Sequence, residues 1–367
     1  MKKTVGILFP GYGEQFVGMG KKLYDESRLV QDLFEQASMC FDINFVQLCF
    51  AASDAEMSEI DKGYLAILLL ETAIYAQLAE SGLRPDFIAG YGIGEYAAAV
   101  ACGSLSFADS MYLLSKYARI FKEFIGEHKN YSVLVLSRGF TKESLTELCA
   151  KYSTDDKKVF IAAYNTDDNF AIAGDAQLIA QIKEYCKEQE IRKVKELPAA
   201  YGLHSPIVDA VVAQLAPYFF KIDFKSLKTP VITSVDGVYV TSADALESAI
   251  MRRVNSPLQW DEVMHGFVGC DVLISVGPGK QLAEWARLKY PEKEIYTIEN
   301  LDDLQALQSF LQEHKAEFEE SDKPDQISMG TCHIDDDAVV EPTDLTRADL
   351  INELPGDYDI EEGEELA

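Results

Sequence analysis

The sequence predicts an α/β protein: a parallel sheet covered by helices, with an inserted βαββαβ subdomain and a disordered acidic tail. Three observations lead there. Strand-like apolar runs alternate with amphipathic segments through roughly the first 125 residues. Between about 129 and 198 the order of elements changes to βαββαβ. From about 320 onward periodicity is lost and acidic residues dominate.

Taken in order, the apolar run Val5-Gly6-Ile7-Leu8-Phe9 reads as a strand. Helical patterns follow from about 18, over 34–50 and over 65–81. A second strand at 87–91 enters the small-residue segment Tyr96-Ala97-Ala98-Ala99-Val100-Ala101, and helical pattern continues to 124. The insertion reads as strand 131–136, helix 141–152, strands 159–163 and 170–173, helix 176–189 and strand 192–197. Its two central strands flank the turn Asn165-Thr166-Asp167-Asp168-Asn169, and the order is ferredoxin-like. Afterwards come a helix from about 206, strands at 230–234, 272–276 and 295–298, and helical pattern to about 318. The expected domains are 1–128 with 198–318 as the large α/β unit, 129–197 as the ferredoxin-like subdomain and 319–367 as the tail.

With 367 residues, 48% of them hydrophobic, the chain can bury a sizeable core. No stretch approaches the roughly 20 apolar residues of a membrane span, and the Met1-Lys2-Lys3 start runs straight into the first strand without a signal-peptide apolar region. A cytoplasmic protein is expected. Residues 301–367 hold 21 acidic against 3 basic side chains, a net −18 of the chain's −28. That balance argues against nucleic acid or an anionic membrane as partner. Seven scattered cysteines (40, 49, 102, 149, 186, 270 and 332), with no Cys-x-x-Cys pair, read as reduced core thiols rather than metal ligands.

The most informative segment is Gly90-Tyr91-Gly92-Ile93-Gly94-Glu95, a glycine-flanked turn from strand to helix. It has the form of the nucleophile elbow of α/β-hydrolase-like sheets, yet its apex, Gly92, carries no hydroxyl or thiol. Glycine-rich turns of this kind also arise for steric reasons alone. Three further segments narrow the choice: Phe9-Pro10-Gly11-Tyr12-Gly13-Glu14-Gln15 followed by Gly18-Met19-Gly20, Tyr201-Gly202-Leu203-His204-Ser205-Pro206, and Gly277-Pro278-Gly279-Lys280. In order and spacing the four resemble the motifs of the malonyl-CoA:acyl-carrier-protein transacylases, over roughly residues 4–300. In that family they read Phe-Pro-Gly-Gln-Gly-Ser-Gln, Gly-His-Ser-x-Gly-Glu, a His-Ser-Pro segment and Gly-Pro-Gly.

The resemblance implies a ping-pong transfer in which an elbow serine takes an acyl group from coenzyme A and passes it to a carrier-protein thiol. It places His204 at the general base and Gln259, in Ser256-Pro257-Leu258-Gln259-Trp260, at the residue whose backbone carbonyl orients that base. It places the backbone N–H groups of Tyr12 and Ile93 at the oxyanion hole. Gly92 falls at the nucleophile, Tyr91 at the preceding histidine and Tyr117 at the malonate-binding arginine, so Tyr91 and Tyr117 would line the acyl group. Arg119 lies two residues on, about 200° round the helix, and should not reach the same pocket. The expected ligand is a coenzyme A thioester, with no other cofactor and no metal. The expected partner is an acyl carrier protein.

Three readings follow. The chain is a degenerate, non-ping-pong homologue that binds a thioester or carrier protein; an acyltransferase or thioesterase in which His204 activates the incoming thiol or water directly; or a structural protein that interacts through its tail. In the tail, an amphipathic stretch over 344–354 could dock on a partner, whereas Asp335-Asp336-Asp337 cannot turn three consecutive carboxylates onto one ion. Gly277-Pro278-Gly279-Lys280 lacks the spacing of a phosphate loop.

Overall fold

The computed structural model describes residues 2–318 and 327–331. The chain divides into a compact unit, Met1–Asp335, and a second, Asp336–Ala367, which lies outside the described residues together with the sequence calls at 335–337 and 344–354.

Two sheets organise the compact unit. The larger is built from β1 (Val5–Phe9), β2 (Phe87–Gly90), β7 (Val231–Ile232), β8 (Tyr239–Val240), β10 (Val272–Val276) and β11 (Glu294–Ile298) in the order β11-β10-β1-β2-β7-β8. All neighbours are parallel except the β7–β8 pair. Ile7 on β1 lies opposite Ile274 and Ile88, and every residue of β1 is buried, which is why that strand reads as an unbroken apolar run. The Ile60–Glu80 helix is apolar nearly all round and buries 17 of its 21 residues, forming the centre of the helical layer.

The smaller sheet comprises β3 (Tyr131–Ser137), β4 (Val159–Thr166), β5 (Asn169–Asp175), β6 (Val194–Pro198) and β9 (Leu258–Gln259), ordered β6-β3-β5-β4-β9. Helices Lys142–Tyr152 and Ala176–Glu188 follow β3 and β5, and Leu145, Leu148, Ile179 and Ile182 from them enter its core. The strand β9 comes from far down the chain and pairs parallel with β4, Ala163 opposite Leu258 and Tyr164 opposite Gln259. It therefore ties the inserted sheet to the turn that precedes Trp260.

The structure departs from the sequence reading at four places. The helix expected over 34–50 is two, Arg28–Phe41 and Phe45–Ala51, because Asp42 adopts a left-handed conformation and the Asn44 side chain caps the second helix at Gln47. The two-residue strands β8 and β9 are too short to leave a periodic signal. Within the tail expected from about 320 to be largely disordered, residues 327–331 dock on the fold: Ser328 O accepts from Phe107 N–H at 2.7 Å and Met329 O from Ala108 N–H at 3.0 Å. Finally, Cys40 is not a reduced core thiol but half-buried and disulfide-bonded. The other described cysteines, Cys49, Cys102, Cys149, Cys186 and Cys270, are buried free thiols, and burial pushes Cys49 and Cys102 up to about 12. Cys332 lies outside the described residues.

Candidate active site

The site begins where β1 and β2 end. β2 stops at Gly90, the chain reverses through Tyr91 and Gly92, and the Gly94–Ala101 helix starts at once, with Gly94 N–H donating to Tyr91 O at 3.0 Å and Glu95 N–H to Gly92 O at 3.2 Å. Gly94 is required by packing, since a Cβ there would overlap the backbone oxygens of Phe9 and Pro10. Gly92 differs. Its φ of +56° is the left-handed conformation of an elbow apex, and a Cβ built on it meets only Leu258 Cδ1, at 4.0 Å. The turn keeps both the backbone and the space for a side chain at position 92.

Tyr91 is held by a polar contact and two aromatic ones. Its hydroxyl donates to Asn165 Oδ1 at 2.7 Å, and its ring packs edge-on against Trp260 and Trp285, with centroids 5.3 and 5.7 Å away. Asn165 in turn donates through Nδ2 to Asn169 Oδ1 at 2.8 Å, so the polar turn of the inserted sheet is held against the elbow. The hydroxyl of Tyr91 is committed to that contact.

His204 lies after Gly202, in a strained left-handed conformation of its own (φ +39°), and is 7% exposed. Its Nδ1 is 2.8 Å from the carbonyl oxygen of Arg253. A carbonyl only accepts, so Nδ1 carries the proton and Nε2 keeps its lone pair. Burial first, and the Arg253 charge second, lower the pKa of His204 to about 4. The carbonyl that orients this ring belongs to Arg253, which corrects the assignment to Gln259; Gln259 sits in β9 and donates its N–H to Ser234 O at 2.6 Å. The imidazole also folds back on its own loop, where a Cβ on Gly202 would overlap Nε2. No atom of His204 comes within 4 Å of a Cβ placed on Gly92.

Arg253 is the residue that sequence reasoning missed. Its side chain is fully buried, with Nε 3.3 Å from Glu95 Oε2 and the guanidinium 5.4 and 5.2 Å from the ring centroids of Tyr96 and Tyr117. Glu95 accepts from Ser234 N–H through Oε1 at 2.7 Å. Burial raises the pKa of Glu95, and the Arg253 charge opposes that rise. The doublet Arg252-Arg253 before Val254-Asn255-Ser256-Pro257 was its only trace in the sequence, and a doublet of arginines ordinarily reads as surface.

Tyr117 is buried on the Phe107–Glu127 helix, stacked on Phe121 and tilted against Tyr64, with centroids 5.6 and 5.9 Å away. Tyr12 joins the same aromatic wall, edge-on to Tyr64 and Tyr201, and hydrogen-bonds Ser58 O. Arg119 is exposed on another face of that helix and donates to the Tyr218 hydroxyl at 3.2 Å. The structure thus gathers Tyr91, Gly92 and Ile93 at the elbow, and Tyr12 and Tyr117 in the adjoining wall. It pairs His204 with Arg253 and leaves Arg119 outside.

At the turn after β10, Gly279 N–H donates to Glu299 Oε1 at 2.8 Å and Lys280 N–H to Glu14 Oε2 at 2.9 Å. Carboxylates fill the donors a phosphate would need. Among the described residues no group of three or more His, Cys, Asp or Glu is placed to hold a metal ion, and no helix is long and apolar enough to cross a membrane.

An elbow at the C-terminal end of a parallel strand, together with a histidine oriented by a backbone carbonyl, is the frame of acyl-transfer chemistry. The sequence pattern of the acyl transferase domain matches residues 7–318. The chain belongs to the acyl transferase domain family. Among curated members it is 28% identical to the malonyl CoA-acyl carrier protein transacylase of Bacillus subtilis (strain 168), over 76% of this chain and 88% of that one. It is 26% identical to the transacylase of Staphylococcus aureus (strain MRSA252), over 83% and 98%. The crystal structure of the Clostridium perfringens transacylase superposes with a TM-score of 0.79 at 25% identity, covering 85% of this chain and 98% of that one. A malonyl-transacylase in complex with a type II polyketide-synthase acyl-carrier protein shares the fold, with a TM-score of 0.79 at 22% identity, over 84% and 99%.

Proposed function

We propose that this acyl transferase domain has lost covalent catalysis and binds an acyl thioester, presented by coenzyme A or by an acyl carrier protein. Gly92 carries the reading: the elbow apex keeps its conformation and its open space and has no nucleophile. Without a hydroxyl there the acyl-enzyme of a ping-pong cycle cannot form, and loss of a triad serine costs on the order of 10⁶ in turnover. His204 supports the same reading, because burial lowers its pKa to about 4 and makes it a weak base. Tyr117 stands where the resemblance puts a carboxylate-binding arginine, and a phenol cannot form that bidentate clamp. Neutral acyl groups should therefore bind in preference to malonyl. The relatives named as malonyl CoA-acyl carrier protein transacylases support the thioester class. The unprotonated Nε2 of His204 supports a second reading, direct attack by a thiol or water activated at that nitrogen.

Transfer of labelled acetyl and malonyl groups from coenzyme A to a purified carrier protein, with mass-spectrometric trapping of any acyl-enzyme, tests the proposal on the native chain and Gly92→Ser. Saturable acetyl-CoA binding without turnover in the native chain, and an acyl-serine in Gly92→Ser, are expected. Native turnover with sequential kinetics and no covalent intermediate would establish the second reading instead. Absence of thioester and carrier-protein binding in both proteins would leave an interaction role and overturn the proposal.

A further inference from the structure

Residues 199–202 carry the chain from the inserted sheet back to the larger unit. β6 ends at Pro198, paired with Ser132 of β3, and Ala199–Tyr201 then make a single 3₁₀ turn closed by Gly202 N–H to Ala199 O at 3.0 Å. Beyond it the chain is fixed again, by Leu203 in the main core and by His204 Nδ1 on the Arg253 carbonyl. Between those anchors Ala199, Ala200 and Tyr201 are partly buried.

The turn lies on two functional groups at once. On one side the Tyr201 ring covers the first loop: a Cβ on Gly13 would meet its Cε1 at 2.5 Å, and the ring packs edge-on against Tyr12 with centroids 5.2 Å apart. Tyr12 is the residue whose N–H the resemblance places at the oxyanion hole. On the other side a Cβ on Gly202 would meet His204 Nε2 at 2.4 Å, so the Gly202 backbone lies against the nitrogen that keeps its lone pair. Gly202 has a φ of +98°, a conformation that favours glycine. From beneath, the hydroxyl of the buried Tyr64 donates to Ala200 O at 2.9 Å. A hydrogen bond and an edge-on ring pair are small ties beside the buried core that fixes either end, and local opening begins at such places.

We propose that residues 199–202 form a lid, closed in the free chain over the Tyr12 backbone and His204 Nε2, which lifts on hinges at Pro198 and Gly202 to admit an acyl thioester. The ligand in this proposal rests on the acyl-thioester reading; the motion rests on the turn alone. An N–H donor and an unprotonated nitrogen are the groups that a thioester carbonyl and an incoming thiol or water would meet, and both are reached only in the open form. A ligand with that difference in contacts shifts the population toward opening, and its apparent affinity is lowered by the fraction of chain that is open. Tyr201 gates access by position and leaves the chemistry of His204 unchanged.

Carbethoxylation of histidines by diethyl pyrocarbonate, mapped by peptide mass spectrometry on the ligand-free full chain, reads access to Nε2 without any thioester. His204 should react slowly in the native chain and in Tyr201→Phe, which keeps the edge-on pair, and about three- to tenfold faster in Tyr201→Ala. Unchanged rates at the exposed His128 and His265 show that the fold is intact. Tyr64→Phe, which removes the hydroxyl beneath Ala200, should also speed the reaction at His204 and guards against collapse of the Tyr201→Ala variant. In stopped-flow mixing with acetyl-CoA, Tyr201→Ala should associate faster by the same factor, with dissociation little changed. Equal reactivity of His204 in all four proteins would overturn the lid. Faster reaction in Tyr201→Ala, with acetyl-CoA entering it and the native chain at one rate, would overturn its control of entry. A lid that opens in proteins that bind no acetyl-CoA would instead overturn the acyl-thioester reading, and with it the ligand named here.

Discussion

The imidazole of His204 hangs from the backbone carbonyl of Arg253, Nδ1 to oxygen 2.8 Å, while the Arg253 side chain turns to Glu95. One residue thus supplies the acceptor that fixes the histidine tautomer and a buried cation that disfavours its protonation. Burial is the larger influence on both Glu95 and His204, and the Arg253 charge acts on each of them second.

A pH dependence of stability follows from the depressed pKa of His204. In the folded chain it is about 4, against 6.5 for an unperturbed imidazole. Between those values the unfolded state binds the extra proton, so this site's contribution is complete above pH 6.5 and drains as pH falls toward 4. The slope approaches about 1.4 kcal/mol per pH unit, for a total of about 3 kcal/mol. Glu71 and Glu95, whose burial raises their pKa values, titrate in the opposite sense in every variant, so the difference from His204→Asn isolates the histidine. Urea denaturation from pH 4 to 8 should show the native curve falling more steeply with acid than that of His204→Asn; parallel curves would refute the assignment.

How far the site could be read from the sequence depended on the range of the signal. The elbow and its flanking glycines, and the βαββαβ order, are local patterns of spacing and period, and the structure has them at Gly90 to Gly94 and in β3 to β6. The motif resemblance instead chose Gln259, in Ser256-Pro257-Leu258-Gln259-Trp260, as the orienting residue, because a carbonyl contact carries no side-chain signature. Nor does the sequence mark Arg253 as buried: its stabilising groups, Glu95, Tyr96 and Tyr117, lie well over a hundred positions away. The docking of 327–331 was hidden for a related reason, since five residues among acidic neighbours have no period, and their anchors Gln36 and Phe107 are remote.

Removing Arg253 should cost more than removing the Glu95–Arg253 pair. In Arg253→Met the Glu95 carboxylate is left buried without its counter-charge, a loss of about 3–5 kcal/mol when a buried pair is broken from one side. Glu95 then escapes by taking a proton, so the deficit should shrink from pH 8 to pH 5, and Glu95→Gln/Arg253→Met should recover at least half of it. Urea midpoints for the four members of the cycle at both pH values check this. A double mutant as unstable as the sum of the singles would mean the two side chains are not coupled.

The elbow glycines separate steric need from chemical vacancy. Gly94→Ala drives a Cβ into the backbone oxygens of Phe9 and Pro10, which cannot move without disturbing β1, and should lower stability by more than about 3 kcal/mol or abolish folding. At Gly92 the added atom meets nothing closer than Leu258 Cδ1, so Gly92→Ala should lose only the left-handed strain, about 1–2 kcal/mol. Thermal melts of the two variants against the native chain decide it. Equal, severe losses would mean that position 92 has no room for a side chain, and the case for a vacated nucleophile site would fall with it.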